Sequence, residues 1–183
     1  MANSIKQVTV KGSKFNLGSI ETAAIAGVEQ GENIFTGGNN HGVKLLVAGA
    51  ANTVTAADSG KIIVFNVAAA TLVTLPAPQV GLKFTFMTSI LATGDHEIQA
   101  ATNAEGFVGG VTVHSTTAGN SDAFSAAAAG TDDFITMTGS TNGGGAGSWI
   151  QIVGILAASA AKCWLVSGNL VATGTVVTPF AAS

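Results

Sequence analysis

Residues 59–86, SGKIIVFNVAAATLVTLPAPQVGLKFTF, decide how the rest of the chain is read. Ile63, Phe65 and Val67 alternate with Ile62, Val64 and Asn66. After the small run 68–70, Val73 and Leu75 alternate with Leu72, Thr74 and Pro76, and then Leu82, Phe84 and Phe86 alternate with Lys83 and Thr85. A period of two in β-branched and aromatic residues, bounded by Gly and Pro, is the sequence form of a half-buried strand. Pro76 and Pro78 have no backbone N–H to donate, so pairing stops there and the chain turns. The expectation is three strands in quick succession, a β meander whose apolar face the remaining residues cover.

The same signals continue on both sides of this stretch. Towards the N-terminus, 44–47 reads as a short strand and 52–60, NTVTAADSG, leads in through a turn at Asp58, Ser59 and Gly60. Towards the C-terminus, alternation resumes over 96–101 and again at Phe107, Val108, Val111 and Val113, where Gly109 and Gly110 suggest a bulge or tight bend. Residues 116–130, rich in Ser, Thr and Ala, read as a surface loop. Phe134, Thr136 and Thr138 alternate with Ile135 and Met137 in a further strand. Residues 140–148, STNGGGAGS, read as a flexible hairpin connection turning at Asn142 and Gly143. The segments 149–155 and 162–166 form a strand pair carrying Trp149 and Trp164, both expected in the core, and 171–180 supplies a terminal strand for a sheet edge.

Residues 1–52 differ in kind. Val8 and Val10 mark a short strand, 20–28 is an Ala-rich helical turn or extended run, and 29–42 is dense in Gly and Asn. The domain reading is therefore an extended N-terminal arm and linker over 1–52 and one β domain over 53–183. With about ten short strands and no sustained helical period, the fold class is all-β, an antiparallel β-sandwich or jelly roll.

Only 9% of the 183 residues are charged, 47% are hydrophobic and 24 are Gly, with a mean hydropathy of +0.48. Globular chains ordinarily carry about a quarter charged residues. So few charges leave much uncharged surface, which is best covered by other subunits. The seven basic residues are all Lys, and the net charge is −3. Without the bidentate guanidinium, phosphate and base recognition lacks its usual donor, which argues against nucleic acid as a partner. Lys6, Lys11 and Lys14 precede every acid, so a basic N-terminal segment joins an acidic remainder. Such a segment suits an acidic surface elsewhere, or is simply a solvated strand end.

The most apolar window, 149–166, contains Gln151, Ser159 and Lys162 and alternates like a strand, which argues against a membrane helix and a membrane partner. A single cysteine, Cys163, cannot form an internal disulfide and reads as a small buried hydrophobe. The opening MANSIKQ has no apolar core of signal-peptide length, so the expected place of synthesis and assembly is a cytoplasm.

Little in the sequence points to catalysis. His41, His96 and His114 are scattered, and no zinc spacing occurs. His96 and His114 could share an ion only if neighbouring strands, or a three-fold axis, brought them together. On a strand, Asp95 and Glu97 point one way and His96 the other. Asp132 and Asp133 lack the alternating ligands of a calcium loop, and the run Gly143, Gly144, Gly145 is followed by no GK[ST] of a phosphate loop. Among Asp95, Glu97, Glu105, Asp122 and Asp133 nothing selects a pair of glycosidase carboxylates. The expectation is a protein that is not an enzyme, with no catalytic residues, cofactor or metal.

Several segments together carry a resemblance: AADSGK at 56–61, ATLVTLP at 70–76, GLKFTF at 81–86, GSWIQIVG at 147–154 and CWLVSGNL at 163–170. They resemble the small β-rich virion proteins of tailed bacteriophages, in which a TLTLP…G…F.F core and a closing W.V.G strand recur in capsid decoration (cement) proteins and in fibre or spike modules. The resemblance covers residues 53 to 175. It implies a homotrimer on the outer surface of an icosahedral head, assembled in the host cytoplasm, with the major capsid protein as partner. The alternative is a tail fibre or spike module that recognises a host surface glycan through the loops 114–131 and 140–148. The segment before residue 53 lies outside the resemblance. Its Lys placement and loop composition make Lys6, Lys11, Lys14 and Phe15 the expected capsid contact.

Overall fold

The computed structural model describes residues 42–128, 130–156 and 162–182. The chain divides into two compact units, Met1–Asn39 and Asn40–Ser183, and the first lies outside the described residues. The second is a β-sandwich. Its strands are β1 (Val43–Leu45), β2 (Gly49–Thr53), β3 (Ile62–Phe65), β4 (Thr71–Thr74), β5 (Lys83–Thr88), β6 (His96–Gln99), β7 (Phe107–Ser115), β8 (Ser121–Ser125), β9 (Phe134–Met137), β10 (Trp149–Gly154), β11 (Trp164–Ala172) and β12 (Phe180–Ala181). One sheet has the order β1-β3-β5-β10-β11-β7-β8 and the other β12-β9-β6-β4-β2. The arm boundary expected at residue 52 thus falls inside the sandwich, because β1 and β2 are already built into its two sheets.

The alternation in 59–86 places its residues correctly. Ile63, Phe65, Val73, Leu75, Phe84 and Phe86 are all buried, at 1% exposure or less. The pairing differs from the expected meander. β3 and β5 lie side by side in parallel, and β4, which separates them in the chain, belongs to the opposite sheet. β1 continues the parallel row on one side, and β2, β4 and β6 form a parallel row on the other. Residues 43–99 therefore wind between two layers, each turn adding one strand to both. Period two reports only that one face is buried, and a meander and a two-layer winding satisfy it equally. The connections decide between them. The runs 66–70 and 75–82 replace the two-residue turns of hairpins and span the roughly 10 Å between packed sheets.

The remaining strands complete the sheets. β7 and β8 form a hairpin, so 121–125 is an edge strand where a surface loop was expected. β10 and β11 pair antiparallel, as the sequence indicated for the window 149–166. β11 then runs in parallel with β7 through nine paired residues. Five of the ten strand pairings described are parallel. The sheets are thus mixed where antiparallel ones were expected, and the order differs from the eight antiparallel strands of a jelly roll. Both sheets contribute to one core, in which Phe65 and Phe86 lie 6.2 Å apart and Phe84 and Trp164 6.1 Å apart.

Two glycine features sharpen or correct the sequence reading. Of the bulge or tight bend expected at Gly109 and Gly110, the bulge is absent from the β7–β11 ladder: Gly109 takes φ 95°, and the register runs through it without a shift. A Cβ at this position would stand 2.3 Å from the Val166 carbonyl oxygen. The run 143–145 is buried, not a flexible hairpin tip, and it leads from β9 in one sheet to β10 in the other. Cβ atoms at Gly143 and Gly145 would collide with Leu170 and Val171 of β11. Asn142 secures the loop by accepting from the Thr138 N–H at 2.9 Å and the Thr138 hydroxyl at 2.7 Å.

Candidate functional site

In the seven-stranded sheet, every residue that alternates with a core residue points away from the sandwich, and register aligns these residues in rows. One row is Leu45, Val64, Met87, Trp149, Asn169, Thr112 and Ala123; the next is Val43, Ile62, Thr85, Gln151, Ser167, Gly110 and Ser125. Lys83, Val153, Leu165 and Val108 form a third, shorter row, and His114 stands beside Val171 and Ser121 beyond the first. Among the described residues of this face only Lys83 and His114 are ionisable.

The face has two halves. Over β1, β3 and β5 it is apolar apart from Thr85 and Lys83: Val43 and Leu45 are 60% and 61% exposed, and Met87 is exposed beside them. Over β11, β7 and β8 the first two rows consist of small and polar side chains, with Leu165 and Val108 apolar in the third. Trp149 stands at the seam. It is 41% exposed, whereas Trp164 is fully buried, so the expectation that both tryptophans belong to the core holds for one only. The distinguishing signal was present in WIQIVG. Ile150 and Ile152 claim the core face, which leaves Trp149 on the side of Gln151.

Beside the indole a groove of about 440 Å³ crosses the half over β11, β7 and β8, lined by Trp149, Thr112, Ser125 and Ser167 and by the apolar Val111, Ala123 and Phe124. Next to it, His114 Nδ1 lies 2.8 Å from Asn169 Oδ1. A carbonyl oxygen only accepts, so Nδ1 carries the proton and donates. The Asn169 amide is thereby oriented with its Nδ2 hydrogens unused by this bond.

The other candidates settle into structural roles or remain apart. His96 is buried on the inner side of β6, while His114 is on the outer face of the other sheet, so the two do not meet. The His96 ring stacks on Phe65 at 4.6 Å, and its Nε2 donates to the Val67 carbonyl at 2.8 Å. Burial holds its imidazole below the ordinary range, against the opposite pull of the Val67 carbonyl. Asp95 and Glu97 do share one side, lining a recess with Gly49, Ala70, Thr71 and Leu72. Burial and then the nearby Asp95 push the Glu97 carboxyl up, with a Thr136 hydrogen bond opposing them. Glu105 and Asp133 are buried elsewhere, and Asp122 is exposed on the β8 edge strand. Among the described residues no group of three or more His, Cys, Asp or Glu is placed to hold a metal ion, and no helix is long and apolar enough to cross a membrane.

Asp58 is the most heavily bonded side chain of the turn before β3. One carboxylate oxygen accepts from Lys61 Nζ at 2.8 Å, and the other from Lys44 Nζ at 2.8 Å and the Thr55 N–H at 3.0 Å. Burial pushes its carboxyl up, but the Lys44, Lys61 and Thr55 hydrogen bonds outweigh it and hold the group well below the usual carboxylate range. This clasp ties β1 to the start of β3.

Lys6, Lys11, Lys14 and Phe15, the expected capsid contact, lie outside the described residues, as does His41. Compared with protein-family models, curated proteins and solved structures, the chain gives no match.

Proposed function

We propose that this chain is a structural virion protein: a capsid decoration protein that binds the outer surface of an icosahedral phage head as a homotrimer and ties neighbouring major capsid proteins together. The observation that carries the reading is the apolar half of the outer sheet face, with Val43, Leu45, Ile62, Val64 and Met87 aligned across three strands and no charge among them. Contiguous apolar surface of this kind marks a protein–protein contact. The resemblance of residues 53 to 175 to virion proteins supplies the setting. In this reading the basic segment with Lys6, Lys11, Lys14 and Phe15 grips the shell, and three modest contacts per trimer add up to tight attachment.

Reconstruction of native particles tests the proposal. Copies should cover the head in fixed proportion to the major capsid protein; a handful at the tail would instead support a fibre or spike module. Removal of residues 1–20 should leave assembled trimers that no longer coat shells, as read by co-sedimentation. Full coating by the shortened protein would exclude the N-terminal grip.

A further inference from the structure

We propose that the groove beside Trp149 is a saccharide-binding site for a neutral glycan, with a sugar ring lying against the indole. This goes beyond the decoration reading and holds whether the copies stand on a head or a tail.

Three observations converge on the groove. The first is shape. At about 440 Å³ it falls within the range of small-ligand sites, and it cannot be closed by ordinary side chains. Gly110 faces outward between Ser167 and Ser125, and a Cβ there would stand 2.5 Å from the Phe124 carbonyl oxygen. Close strand packing thus fixes Gly110 and keeps the groove floor preformed there, which lowers the cost of binding.

The second is the chemistry of the lining. Thr112, Ser125 and Ser167 bring hydroxyls, each able to donate and accept, which matches the dual character of sugar hydroxyls. Asn169 is adjacent to the lining, between Trp149 and Thr112 in the register, and His114 holds its carbonyl so that the amide N–H groups remain to donate. No Lys or Arg lines the groove, so phosphate, sulfate and nucleic acid find no counter-charge.

The third is Trp149 itself. Val111, Ala123 and Phe124 also line the groove, and Trp149, 41% exposed, is the aromatic side chain that faces outward beside it. A flat indole offers a large dispersion surface to the C–H face of a pyranose ring while the hydroxyls reach the rim.

Calorimetric titration of the full chain, in its native assembly, with cellohexaose, maltohexaose, chitohexaose and laminarihexaose tests this. At least one should bind saturably at concentrations up to about 10 mM, which saturates a site of millimolar Kd. Trp149→Ala should weaken that binding about tenfold or more. Asn169→Ala should weaken it too, and Trp149→Phe should retain part of it. All three variants should keep the parent's oligomeric mass and melting temperature. Failure of all four sugars to bind would overturn the proposal. So would binding unchanged in Trp149→Ala, or indole fluorescence showing Trp149 shielded from an added quencher in the native assembly.

Discussion

Asp58 and His96 are buried ionisable groups whose protonation is linked to folding in ways that can be worked out from their partners. The folded-state pKa of Asp58 is depressed, so its clasp contributes stability above the unfolded carboxylate value near 3.9 and loses it as pH falls further. Asp58→Asn should lower stability at neutral pH by about 1–3 kcal/mol, limited by the partial exposure of Lys44 and Lys61. Urea titrations at several pH values should also show a flatter acid limb for this variant than for the parent. His96 acts at a higher pH. Its folded-state pKa is depressed as well, so below the ordinary value of about 6.5 the unfolded chain takes up a proton that the folded chain resists. Stability should therefore fall as pH drops below about 6.5, and His96→Phe, which keeps a ring against Phe65, should remove most of that slope. An unchanged slope would assign the acid sensitivity to another group.

At the level of strands, β7 tolerates little change at its glycines. Gly109→Ala forces a side chain into a left-handed backbone and against the Val166 carbonyl, so the loss should be on the order of 2–4 kcal/mol. Gly119→Ala, also at positive φ but with nothing within 4 Å of the added carbon, should cost about 1 kcal/mol. Thermal melts of the two variants side by side check the difference. Strand content was largely legible in the sequence, because alternation in 62–65, 71–75, 83–86 and 134–137 records directly which side chains leave water. Pairing was not, since Ile63 and Phe65 would be buried under either a meander or a winding. The Gly-rich run 143–145 misled for a related reason: glycine signals both freedom and close approach, and here Leu170 and Val171 demand the second. The edge strand 121–125 has one half-buried large side chain, Phe124, and so little periodicity to read. Trp149 could have been assigned to the open face from its own strand, had the two isoleucines been weighed first.

For the molecule as a whole, the outer face of the seven-stranded sheet is the surface on which assembly depends in the proposed function. Leu45→Lys combined with Met87→Lys places two charges on its apolar half, at side chains already exposed. The double variant should dissociate into single chains by light scattering, while the melting temperature of the chain itself moves by no more than about 4 °C. An unchanged mass would place the contact between copies elsewhere.

The parallel ladder between β7 and β11 also governs how the protein is made. β11 closes the seven-stranded sheet by settling between β7 and β10, so a nascent chain that has not yet emerged past residue 164 holds two open strand flanks with nothing between them. Such long-range parallel closure is slow, and partly made chains are correspondingly prone to stick to one another. A cell producing many copies at once would therefore gain from slow translation before β11 or from a chaperone at that stage, and truncations ending within β10 should accumulate as aggregates.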